Sequence, residues 1–263
     1  MGSDGQTIHE ITSISGVGFG FLALIVGVHR SWITRQEAID RANLMLRSLG
    51  AVKRFHGAFP HFVHSSGGKT IPFAKFDDGG DLVETALLVQ ALICAREFFD
   101  EPTSTEMDLR RSVTHIVEAV EWNWFTQGKP GPLYWHWSPR FGWAKNLPIA
   151  GWNEALVTYV LAAGSAAHPI NPVSYHSGWA RDGEIRNGAR YLGVRLPLGE
   201  PYGGPLFLSQ YSFCTLDPRG LGDAYCNDYL EQVHAHSLIN YRYCSTRYAP
   251  EVGWGLSSCD GPK

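Results

Sequence analysis

The stretch "KFDDGGDLVETALLVQAL", Lys75–Leu92, decides the fold. From Asp81 onward it is an apolar run without Gly or Pro, which reads as a buried helix continuing to about Phe99. Its first half sets four carboxylates, Asp77, Asp78, Asp81 and Glu84, within eight positions of a chain in which 18% of residues are charged.

Working outward, the pattern on both sides alternates buried with amphipathic helices. Downstream, "STEMDLRRSVTHIVEAVEWNWF", Ser104–Phe125, predicts a helix with a charged outer face. Upstream, Gly16–His29 predicts a buried helix that is apolar on all sides. Thr34–Leu49 predicts an amphipathic one, with Thr34 as N-cap and Glu37 closing a capping box. Further helices are expected near Asn153–Ala163, Pro205–Phe213 and Asn227–Cys244, and strand signals are weak and local. Long loops rich in Gly, Trp, His and carboxylates, such as Arg54–Phe73, Thr126–Gly151 and Ser165–Gly203, separate the helices. The expected class is all-α: inner and outer helices of an α/α toroid, with the long loops forming one functional rim.

Composition narrows the partner. With 263 residues, 44% of them hydrophobic, the chain can build a sizeable core. A net charge of −3 without a Lys/Arg block argues against nucleic acid or an anionic membrane surface. The apolar run Ile14–Val28 is shorter than the roughly 18 residues of a spanning helix, so no membrane insertion is expected. Nine Trp and eleven Tyr supply amphipathic rings suited to sugar faces as well as to cores. Five cysteines without a CxxC pair predict neither a zinc ribbon nor a disulfide framework, and they are read as mostly free and buried.

Three constellations carry possible chemistry. In the acidic stretch, capping explains two carboxylates: Asp81 as N-cap, with Glu84 closing a capping box. Asp77 and Asp78 lie upstream in a turn, where mutual repulsion rises unless some carboxylates are protonated or bind a polar ligand; capping alone is the plainer reading of the stretch, a sugar or catalytic site the alternative, and a calcium loop lacks the alternating spacing. The second is "LYWHWSPRFGWAKNLPIAGWNEALVTYVLA", Leu133–Ala162, where Trp135, His136, Trp137, Trp143 and Trp152 are candidate sugar contacts. They surround Glu154, placed in the first turn of a helix capped by Asn153. Glycoside hydrolysis needs a carboxylic acid of raised pKa to protonate the departing oxygen and a second carboxylate to activate water, and an aromatic wall raises that pKa. Glu154 suits the acid; the alternative is a carboxylate that only complements a helix dipole. The third, Tyr202–Tyr225, combines Gln210, Tyr211, Asp217, Arg219 and Asp223; Arg219 is read first as pairing with an Asp in a turn, and Gln210, Tyr211 and Arg219 are secondary candidates for sugar contact. His56, His61 and His64 have no Cys or carboxylate at ligand spacing, so neither a metal nor a cofactor is expected, and no phosphate-binding or GxSxG motif is present.

At these motifs, together with "RFHGAFPHF", "VEWNWF", "GGPLFLSQYSFCTLDPRGLGDAY" and "WGLSSCDGP", the sequence resembles the glycoamylase-like family, which includes bacterial endo-β-1,2-glucanases and domains of cyclic β-1,2-glucan synthases. The likeness runs from about Thr12 to Pro262. It implies an (α/α)6 barrel and an inverting, endo-acting glycosidase of β-1,2-glucan. Asp77, Asp81 and Glu84 would line the cleft with Asp78 beside them, and Glu154 would act as general acid. The partner would be an oligo- or polysaccharide, and the location periplasmic or secreted. Against that family the barrel is expected to be incomplete, one domain over 12–263 shortened at both ends, after a disordered segment 1–11. A non-catalytic sugar-binding protein, an inactive fragment and an exo-acting glucosidase are the alternatives.

Overall fold

In the computed structural model, residues 11–249 and 253–256 are described. Of the segment 1–11 expected to be disordered, residues 1–10 lie outside them, as does Cys259, whereas Ile11 is described and belongs to a strand. Two compact units are present. The first holds residues up to 129 with 133–148 and 160–170; the second holds 130–132, 149–159 and residues from 171 onward.

The first unit is built on four helices, α1 (Ile14–His29), α2 (Arg35–Gly50), α3 (Leu82–Phe98) and α4 (Ser104–Glu118). α3 packs along α1 and against α4, and α2 packs against α1 and α4. Every residue of α3 from Leu82 to Leu92 is buried, as its unbroken apolar run predicts. α1 departs from expectation. Only the row Ile14, Gly18, Phe21, Leu24 and Gly27 is buried, while Val26 is 46% exposed. The buried row follows helical spacing and includes the α3 contact, and the remaining apolar side chains project off it. Gly18 permits the close crossing: a Cβ there would stand 2.8 Å from the Leu87 carbonyl oxygen.

α2 starts at the predicted capping box: Thr34 Oγ1 accepts the Glu37 N–H, and Glu37 returns a carboxylate to the Thr34 N–H. Arg35 in its first turn forms a two-pronged bond to buried Glu106 of α4 (2.8 and 2.9 Å), tying the two amphipathic helices together. α4 ends at Glu118, earlier than the expected Phe125. Trp122–Thr126 instead form a 3-10 turn that buries Trp122 and Phe125, a placement a straight continuation of the helix stripe does not provide.

Small strands replace parts of the expected loops. β1 (Ile11–Ser13), β2 (Phe62–His64) and β3 (Thr70–Ile71) make an antiparallel sheet, with Thr12 opposite Val63 and Val63 opposite Thr70. β4 (Gly80–Asp81) pairs with β5 (His136–Trp137), Gly80 opposite Trp137 and Asp81 opposite His136.

In the second unit, α5 (Leu156–Ala163), counted up to Tyr159, starts three residues later than expected. The supposed loop 165–203 contains a short helix α6 (Pro172–Ser174) that runs into a π-turn to Trp179, and a hairpin of β6 (Arg190–Tyr191) and β7 (Val194–Arg195). Leu192 (φ 49°) and Gly193 (φ 81°) form the hairpin turn, both in the left-handed region that two-residue turns use. The helix expected at Pro205–Phe213 is instead two 3-10 turns, Leu206–Ser209 and Ser212–Cys214. α7 (Tyr229–Arg247) is capped by Asp228 and buries Ala235 and Ile239 against Leu196. Of the described cysteines, Cys226 and Cys244 are buried, Cys94 is half-buried and Cys214 is exposed, all four free.

Candidate active site

The acidic stretch builds a buried cluster at the start of α3. Asp81 Oδ1 accepts the Val83 and Glu84 N–H groups, each at 3.0 Å, as the predicted N-cap. Its Oδ2 lies 2.8 Å from His61 Nδ1. Glu84 does not close a capping box. Its Oε2 accepts the Ser15 N–H at the start of α1 (2.8 Å), and its Oε1 lies 3.8 Å from His61 Nε2. The orphan amides of α1 offered a better partner than the Asp81 backbone, whose N–H is used by the Phe59 carbonyl.

His136 enters because β5 sets it opposite Asp81. Its Nδ1 lies 3.2 Å from Asp77 Oδ1 and 3.6 Å from Asp81 Oδ2. This pairing requires Gly79, where a Cβ would meet the Trp137 carbonyl oxygen at 2.1 Å. Asp77 is 3% exposed, and its Oδ2 has no hydrogen-bond partner among the described residues; the Lys145 ammonium stands 3.6 Å away. Phe73 stacks on His61 with centroids 4.2 Å apart. Asp77, Asp81, Glu84 and His136 are therefore brought together as candidates, with His61 and Lys145 added.

The charges shape one another. Burial alone would lower the His61 pKa, but the hydrogen bond to Asp81 and the charges of Asp81, Glu84 and Asp77 outweigh it, so it is raised. Burial, then the Asp81 charge, pushes the Glu84 carboxyl above its usual range. Asp78 is held apart from the cluster: Ser138 Oγ donates to it at 2.5 Å and Arg140 pairs with it. These bonds, against the opposing effect of burial, keep its carboxyl below the usual range.

Trp137 and Trp143 join Trp124 and His56 in an aromatic cluster, and Trp135 lies beside His136 with centroids 6.1 Å apart.

In the second unit, Glu154 sits in the turn before α5, not in its first turn. Ser212 Oγ donates to the Glu154 carbonyl (2.7 Å) and accepts the Val157 N–H (3.0 Å), while Asn153 Oδ1 accepts the Ala155 N–H (2.9 Å). The backbone carrying Glu154 is thereby fixed on both sides. Trp152 is buried against Trp179 and Tyr229. Gln210 is exposed, Tyr211 is half-buried beside Phe207, and Arg219 makes an exposed two-pronged pair with Asp217.

The family model described as "Putative glucoamylase" matches residues 146–263. Over these residues, somewhat less than half of the chain, the protein is similar to the glycoamylase-like family. An exo-β-1,2-glucooligosaccharide sophorohydrolase (non-reducing end) of Parabacteroides distasonis is 38% identical over 96% of this chain and 38% of its own length. The crystal structure of a "putative glucoamylase" from Bacteroides uniformis matches with a TM-score of 0.91 at 41% identity, over 98% of this chain and 64% of that one. An endo-β-1,2-glucanase from Chitinophaga pinensis, solved with sophorotriose and glucose, matches with a TM-score of 0.88 at 38% identity, over 94% and 63%. The chain thus spans less than two-thirds of the length of each relative.

Two polar members of the cluster, His61 and Lys145, are not singled out by the sequence as site residues. His61 has no carboxylate at metal-ligand spacing, and its partners Asp81 and Glu84 lie 20 and 23 positions away in sequence. Lys145 gave no local signal. Among the described residues no cluster suited to a metal ion occurs, and no helix is long and apolar enough to cross a membrane.

Proposed function

We propose that this chain is, or forms part of, a glycoside hydrolase that cleaves β-1,2-linked glucan, endo-acting and inverting. The observation that carries the reading is the buried Asp77–Asp81–Glu84 cluster with its two histidines, found in a chain whose relatives are named for β-1,2-glucan hydrolysis. α3, buried on all sides from Leu82 to Leu92, and the amphipathic α2 and α4 favour inner and outer helices of an (α/α)6 toroid.

Glu154 is the proposed general acid. The second carboxylate is drawn from the cluster, and the hydrogen bonds favour Asp77 over Asp81. Asp81 spends Oδ1 on two backbone amides and Oδ2 on His61, while Asp77 Oδ2 accepts no hydrogen bond from the described residues and is available to orient water.

Incubation with linear β-1,2-glucan tests the function: a ladder of sophorooligosaccharides supports endo action, and sophorose alone supports exo action, as the name of the Parabacteroides relative suggests. Polarimetry reads the stereochemistry, since inversion of a β-linkage releases an α-anomer. Binding without turnover would favour a non-catalytic sugar-binding protein, and glucose from maltooligosaccharides would replace the β-1,2 reading.

A further inference from the structure

Successive side chains of a strand project to opposite faces, so β5 sends His136 to the carboxylates and Trp137 to a different neighbourhood. There Trp137 meets His56 edge-on (4.8 Å) and Trp124 edge-on (6.2 Å). His56 lies flat beneath Trp124, with centroids 3.8 Å apart and planes 12° apart, and it is held by Glu121 at 2.9 Å. Trp143 flanks the same indole at 6.3 Å and is itself braced edge-on by Phe125 and Tyr134. The Trp124 ring is thus fixed from several sides, yet it remains 40% exposed.

It borders a groove of about 460 Å³, lined by Glu121, Asn123, Trp124, Gln127, Trp143 and His168. No member of the carboxylate–histidine cluster lines it. We infer that this groove is a second saccharide-binding site, separate from the hydrolytic one, in which a pyranose ring of a glucan stacks on Trp124. The C–H face of a pyranose matches an indole held rigid beforehand, so little ordering cost is met on binding. Its hydroxyls meet a rim of amides and one carboxylate: Asn123, Gln127, whose amide is oriented by a 3.1 Å bond to Asn146, and Glu121. A rim of this kind suits a neutral polyol better than an anion or a cation. The choice of β-1,2-glucan as the occupant rests on the proposed function; the stacking geometry does not.

The test measures retardation of the chain in native gels containing linear β-1,2-glucan, alongside hydrolysis of the same polymer. Trp124→Ala is expected to weaken apparent affinity about tenfold, Trp124→Phe less, and Asn123→Ala about threefold. Asn123 is exposed and outside the ring stack, so its variant decides should Trp124→Ala melt early. Unaltered retardation of both alanine variants, or no retardation of the parent chain, overturns the inference. Trp124-dependent retardation without hydrolysis supports this site while sinking the proposed activity. Hydrolysis with Trp124-independent retardation does the reverse.

Discussion

Asp81 combines two roles that usually fall to different residues, since one carboxylate starts a helix and organises a polar cluster. Asp81→Ala therefore removes an N-cap, worth about 1 kcal/mol, and leaves His61 without its partner, a loss of about 3 kcal/mol or more together. Asp77→Asn keeps its shape and is expected to lower the melting temperature little while abolishing turnover; melts and glucan assays on both variants separate the roles. Glu154→Gln should cut the rate about a hundredfold with binding intact. An active Glu154→Gln would remove it as the acid. Asp81 as cap was legible because capping is local. The Asp77–His136 and His61–Glu84 approaches were not, because sheet pairing and helix packing across long separations create them. His61 also gives a pH prediction. Its folded pKa is raised above the unfolded value of 6.5, so the stability it contributes is complete below that value and lost as pH rises through the folded pKa. Glu84, also raised from 4.5, acts in the same direction. Melting temperature should fall as pH rises above about 6.5, and His61→Gln should flatten that slope.

At the scale of elements, Gly18 shows which of two opposing effects wins. Alanine improves helix propensity by about 1 kcal/mol, but its methyl would enter the space of the Leu87 carbonyl and the Leu88 Cα, both under 3 Å away. Overpacking against backbone costs about 1–3 kcal/mol, so Gly18→Ala should be net destabilising in denaturant titration. The cores of α2, α3 and α7 were legible from periodicity and caps, and α2 nearly to the residue. The helix expected through Phe125 was not, because two aromatic side chains found burial in a 3-10 turn off the stripe. α1 misled in another way, since apolar composition alone does not say how many faces a neighbour covers. The 165–203 segment read as loop because its two-residue strands and π-turn are too short for any period to register.

For the whole molecule, a net charge of −3 and a neutral polymer as the proposed substrate leave little for long-range steering to act on. Hydrolysis of β-1,2-glucan should change less than about twofold between about 20 mM and 300 mM salt, whereas a steep fall would point to a charged substrate. That the chain is largely helical was readable from its periodic apolar runs, whereas how the helices are arranged depends on many contacts that no single stretch encodes. One consequence follows from the Asp81–His136 register. Because the two faces of β5 lead to different surroundings, the ribbon imposes a parity rule on this part of the chain. Sliding β5 by a single position would seat an indole against Asp81 and carry the imidazole out of reach of Asp77, while a slide of two would keep each face's orientation. Single-residue insertions or deletions beside His136 should therefore silence the cluster even where the helices still assemble, and loop grafts meant to retune this protein are best cut where that count cannot slip.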